Sequence, residues 1–116
     1  MPNKVYAFMG LAAKAGKVKS GNDSCEAALR SGKAYLIVVA EDASYNTKKR
    51  FSDICDYKGI DFRIYGFKEE IGRYIGKDLR SVIAILDSGF SKRLKELIDG
   101  DIKESGGVGI VKNQDI

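Results

Sequence analysis

The residues best placed for chemistry lie between Gly16 and Ser44. In that stretch Ser20, Gly21, Asn22, Asp23 and Ser24 lead into a segment of helical spacing, with Lys17, Lys19 and Lys33 around it. A helix start leaves backbone N–H groups without an intrahelical acceptor, and its dipole adds partial positive charge, so it is a natural seat for a phosphate or other polyanion. The same residues also suit a purely local role. Ser20 with Asp23, or Asp23 with Glu26, has the spacing of a helix cap, and Gly21 suits a tight turn.

Other reactive groups are sparse. The chain has no histidine, which removes Ser-His-Asp and Cys-His nucleophile systems. With only Cys25 and Cys55 as thiols, not in CxxC spacing, it also lacks the donors of a usual zinc site. Cys25 falls near a helix start, where a thiol pKa can drop, but it lies on the apolar face and reads as a small core residue. Glu41 and Asp42 follow an apolar strand, the place where α/β enzymes put carboxylates; here they read as a strand-to-helix turn. The run Gly10 to Lys17 imitates a phosphate loop, yet it has five residues between its glycines where four are needed and it sits in a helix. Lys48, Lys49 and Arg50 form a basic cluster of the kind usually found on a solvated helix face. No cofactor, metal or catalytic residue is expected.

These residues must be positioned by one domain, since the chain has 116 residues. A hydrophobic share of 44% is enough for a packed core without staples. No apolar run approaches the ~20 residues of a membrane span, and the start M-P-N-K-V-Y shows no secretory leader. Reduced thiols and a cytoplasmic setting are the expectation. A net charge of +4 is compatible with a polyanionic partner.

Periodicity then supplies the elements. Val5, Phe8, Met9 and Ala12 mark a helix over residues 3–15, closed by Gly16. Val18 centres a short strand. A second helix follows from about Asn22 to Ser31, closed by Gly32. Leu36 to Val39 sit inside a near-continuous apolar run, the signature of a strand covered on both faces. Ser44 caps a third helix that ends at Gly59, and Ile60, Phe62 and Ile64 alternate as a half-buried strand. A short fourth helix spans about 68–75, followed by the loop Lys77-Asp78-Leu79-Arg80 and a second fully apolar strand, Val82 to Leu86. Ser88 is read as the cap of a last helix ending at Gly100. The order implies an α/β fold, a three-layer α/β/α sandwich around a four-stranded mixed sheet. Residues 1–100 make the single domain and 101–116 a flexible or loosely docked tail.

Three runs then carry a resemblance: L-A-A-K-A-G-K-V-K-S-G-N-D, R-S-G-K-A-Y-L-I-V-V-A-E-D-A-S-Y-N-T-K-K and I-G-R-Y-I-G-K-D-L-R-S-V-I-A-I-L-D-S-G-F. Over residues 5–98 the chain resembles the ribosomal protein L-seven-Ae superfamily, and within it the bacterial YlxQ-type members. The resemblance implies the three-layer sandwich and recognition of kink-turn RNA by a non-catalytic, ribosomal-protein-like domain. In that family the start of the second helix enters a widened major groove, and the loop after the fourth helix packs on a flipped-out nucleotide. Such a kink exposes base edges that ordinary A-form RNA hides.

Carried onto this chain, the implied RNA-binding residues are Lys17, Lys19, Gly21, Asn22, Asp23, Ser24 and Lys33 around the second helix, and Lys77, Leu79 and Arg80 in the loop. Gly21 matches the family glycine. Asp23 stands where asparagine is usual, Ser24 where glutamate is usual and Ala27 where lysine is usual. Asp23 can accept from guanine N–H groups but cannot donate. The implied partner is structured RNA, a ribosomal or messenger element, with the ribosome as a candidate assembly. No membrane partner and no DNA specificity are expected, and the chain is read as a monomer. The alternative reading is a protein-interaction module on the same fold with a weakened RNA face.

Overall fold

The two apolar runs become the two central strands of a four-stranded sheet. The computed structural model of the chain describes residues 3–104. Its strands are β1 (Val18–Ser20), β2 (Leu36–Val39), β3 (Asp61–Ile64) and β4 (Val82–Ile85), in the spatial order β1-β4-β2-β3. Every residue of β2 and β4 is buried, because strands covered on both faces have no solvent side on which to place polar residues. β4 runs antiparallel to both neighbours, with Val18 opposite Ile85 on one side and Val39 opposite Val82 on the other. β2 and β3 are parallel, Leu36 opposite Asp61 and Val39 opposite Ile64. The sheet is therefore mixed, as expected.

Five helices cover it: α1 (Lys4–Lys14), α2 (Asn22–Arg30), α3 (Tyr45–Lys58), α4 (Lys68–Tyr74) and α5 (Ser88–Glu104). α2 packs on β1 and β4, and α3 on β2 and β3. α1 lies against α4 and α5 in the other layer. The core joins both layers through Met9, Phe51, Ile71, Leu94 and Ile98.

The helix ends hold three departures from the sequence reading. Neither Ser20 nor Asp23 caps α2. The cap position is Gly21, and no side chain bonds the helix start. Ser88 does not cap α5: Asp87 does, its Oδ2 accepting from Phe90 N–H at 2.8 Å, since the carboxylate one residue earlier is the group that reaches the third helical N–H. Nor does Gly100 end α5, which continues to Glu104. A mid-helix glycine costs about 1 kcal/mol relative to alanine. Here side-chain contacts around Gly100 offset that cost. Arg63 donates from Nε and Nη2 to the two Asp99 oxygens at 2.8 and 3.0 Å, Tyr65 donates its hydroxyl to Asp101 at 2.6 Å, and Ile102 packs against the core. The tail expected from residue 101 thus begins as docked helix; residues 105–116 lie outside the described residues.

α4 is held by long-range bonds rather than by its own sequence. Its formal cap, Phe67, offers no side-chain acceptor. Asp42 supplies one from the far end of β2, its Oδ1 accepting from Lys68 N–H at 2.9 Å. Tyr6 accepts from Phe67 N–H at 3.1 Å, and its ring stacks on Tyr74 with centroids 5.4 Å apart.

Candidate nucleic-acid interface

Gly21 turns the chain from β1 into α2 at φ 93° and ψ 158°. L-residues rarely adopt that backbone conformation, and a Cβ there would meet no atom within 4 Å. The glycine is therefore required by its torsion and not by crowding. Gly21 N–H bonds Val82 O at 3.0 Å, which fixes the start of α2 against the start of β4. The first carbonyl used within the helix is Gly21 O, taken by Cys25 N–H at 3.0 Å. Among the described residues, no side chain satisfies the N–H groups of Asn22, Asp23 and Ser24, and all three residues are exposed.

Opposite this helix start lies the loop from Gly76 to Ser81. Gly72 seats it: a Cβ at that position would stand 1.6 Å from Asp78 O, so only a glycine lets the loop backbone lie on α4. Lys77 N–H bonds Gly72 O at 2.8 Å and Arg80 N–H bonds Lys68 O at 3.2 Å. The loop thereby presents Leu79, which is 60% exposed. Arg80 donates from Nη1 to Leu79 O at 2.9 Å and from Nε to Ser20 Oγ at 3.0 Å. Ser20 through Asp23 and Leu79 through Ser81 line an open cleft of about 470 Å³. Chemically it offers unbonded N–H donors, a guanidinium, an amide, a carboxylate and one exposed apolar side chain.

The cleft gathers Gly21, Asn22, Asp23, Leu79 and Arg80 of the residues singled out in the sequence, and Ser24 adjoins it in the first turn of α2. Lys77 is exposed on the same loop, and Lys19 is exposed one residue before Ser20. The structure does not bring Lys17 or Lys33 here. Lys17 O accepts from Leu86 N–H, and Lys33 follows the C-terminal end of α2 with its N–H on Ala28 O. Both therefore sit at the opposite end of the sheet, because β1 and α2 run away from those positions. Ser81 escaped the sequence reading, and Ser20 figures in it only as a cap candidate; no local pattern marks their part in the cleft, since the loop before β4 lies 60 residues away along the chain from β1.

The thiols are packing groups. Cys25 and Cys55 are free and buried. Burial pushes the Cys25 thiol up to about 12 and the Cys55 thiol up to about 11, the reverse of an activated nucleophile. Among the described residues no group of acids and cysteines could hold a metal ion, and no helix is long and apolar enough to cross a membrane.

Comparison with known proteins agrees with this architecture. Residues 3–95 match the model of the ribosomal protein L7Ae/L30e/S12e/Gadd45 family. The chain is 42% identical to the RNA-binding protein YlxQ of Enterococcus faecium over 98 residues, covering 84% of this chain and 93% of that protein. It is 38% identical to the RNA-binding protein YlxQ of Bacillus subtilis (strain 168) over 94 residues, covering 81% of this chain and 94% of that one. A solved structure of a protein of unknown function from Bacillus halodurans C superposes with a TM-score of 0.82 at 36% identity, over 84% of this chain and 99% of that chain. With the fold, the glycine-turned helix start and the glycine-seated loop in place, the chain belongs to the ribosomal protein L7Ae/L30e/S12e/Gadd45 family.

Proposed function

We propose that this protein is a non-catalytic RNA-binding protein that recognises a kink-turn or related structured RNA in the cleft between the start of α2 and the loop after α4. The observation that carries the reading is the facing of two unlike surfaces across that cleft: an uncapped helix start, and an exposed leucine beside an arginine. Phosphate suits the helix N–H groups and Arg80. An unstacked base suits Leu79, since sequence-specific RNA recognition depends on bases splayed out of the helix. Asn22 and Asp23 are assigned to base edges, Ser24 to the backbone, and Lys19 and Lys77 to phosphates outside the cleft. Lys17 and Lys33, at the other end of the sheet, are left out of the contact set. The named YlxQ relatives support RNA as the partner. The free thiols suit a cytoplasmic setting, and the ribosome or its RNA is the assembly in which such a domain would act.

The test is a titration with a kink-turn RNA and with a straight duplex of equal length, at two salt concentrations. The kinked RNA is expected to bind more tightly at both. Equal affinity and equal salt sensitivity would remove kink recognition. The competing reading, a protein-interaction module, would gain if every partner captured from cell extract survived RNase treatment.

A further inference from the structure

We propose that Arg50 of α3 is a phosphate contact for RNA bound along α2, held in place by Glu26; the proposal rests on the RNA-binding reading above. Ahead of Arg30 at its last position, α2 carries no lysine or arginine and two acids, Asp23 and Glu26. A helix with that charge repels a polyanion beyond its first turn unless a neighbouring element supplies cations. α3 supplies one. Glu26 Oε2 is shut off from solvent with no well-aligned hydrogen bond, and it forms an ion pair with Arg50 Nε.

The pair is asymmetric in a way that matters for binding. The Glu26 side chain is 15% exposed and the Arg50 side chain 61%. The carboxylate is thus covered while more than half of the Arg50 side chain is open to solvent. A guanidinium carries five N–H donors, so engagement of Nε by Glu26 leaves the outer fork for a second anion. Among the described residues Arg50 has no other ion-pair partner. Glu26 lies four residues after the cleft-lining Asn22, on the same helix face and about 6 Å further along the axis. Arg50 therefore extends the polar surface of the cleft along the first turns of α2, which hold no cation of their own before Arg30. Glu26 is a positioning residue: Arg50 neutralises its charge, and its carboxylate aims the arginine.

The experiment measures the Kd of the full chain for a kink-turn RNA across a salt series. It compares the wild type with Arg80→Ala, Arg50→Gln, and the double variant Glu26→Gln/Arg50→Gln, with a thermal melt of each. The double variant keeps the wild-type net charge and leaves no carboxylate unpaired, so a merely structural pair predicts wild-type binding. The proposal predicts instead that both Arg50→Gln and the double variant bind more weakly, and that the slope of log K against log salt becomes shallower by about 0.7–0.9, one phosphate contact. A double variant with wild-type affinity and slope, alongside weakened Arg80→Ala, overturns the Arg50 assignment alone. A wild type that does not prefer the kinked RNA to a straight duplex overturns the cleft reading, and this proposal with it.

Discussion

Arg80 Nε stands 3.0 Å from Ser20 Oγ, across 60 residues of sequence. This bond ties the loop after α4 to the last residue of β1, next to the turn into α2. It sets the width of the cleft and leaves part of the guanidinium free. Arg80→Ala should raise the Kd for kinked RNA by about tenfold, a change of about 1.4 kcal/mol. It should move the melting temperature little, since a hydrogen bond of this partly exposed kind adds little net stability. Unchanged affinity in a filter or fluorescence titration would show that the loop is not at the interface.

Gly72→Ala tests how the loop is seated. The added Cβ would meet Asp78 O at 1.6 Å, and backbone on both sides leaves no flexible atom to yield. The loop must lift from α4, at a cost of about 1–3 kcal/mol or more. A urea midpoint equal to wild type would contradict the close approach. RNA affinity of the folded protein should fall with it, because Leu79 and Arg80 move together.

The cap of α5 offers a paired comparison. Asp87→Ala removes the acceptor for Phe90 N–H and should cost about 1 kcal/mol. Ser88→Ala should be nearly neutral, since Ser88 is the first helical residue and not the cap. Equal losses for the two variants in chemical denaturation would undo this assignment.

Asp42 is open to a similar comparison. Asp42→Asn keeps an oxygen acceptor for Lys68 N–H and should leave stability close to wild type. Asp42→Ala should loosen the start of α4, by about 0.5–2 kcal/mol. Faster amide exchange at Lys68 in the alanine variant alone is the expected readout.

The thiols predict an alkaline weakness. Burial raises Cys25 to about 12 and Cys55 to about 11, from an ordinary value near 9. Above pH 9 the unfolded chain releases thiol protons that the folded chain keeps, so the folded state binds more protons and stability falls as pH rises. The loss should begin near pH 9 and continue until each folded thiol ionises. It amounts to at most about 1.4 kcal/mol per pH unit for each thiol. A Cys25→Ala/Cys55→Ala variant should lose less stability than wild type between pH 8 and pH 10. An identical pH dependence in thermal melts would show that the thiols are not responsible.

Much of the fold was legible locally. Y-L-I-V-V-A and V-I-A-I-L announce central strands because unbroken apolar runs must be covered on both faces, and β2 and β4 are those strands. Gly21, and the facing of α2 by a glycine-bearing loop, came from motif resemblance. The helix caps were less legible. Ser88 and Asp87 are neighbours with equal capping propensity, and only the path of the chain shows which one reaches Phe90 N–H. Lys17 and Lys33 look adjacent to the helix start in sequence, but a strand and a helix each carry their ends apart, and both lysines fall at the far end of the sheet.

By itself, then, the sequence determined which segments are buried and which residue types stand at the start of α2, because periodicity and composition act over a few residues. Tertiary structure alone decided what faces that start. The Arg80–Ser20 bond, the Asp42 cap on α4 and the Arg50–Glu26 pair each join residues 24 or more positions apart. Such pairs are set by how the helices pack on the twisted sheet, and no local pattern encodes the geometry that results.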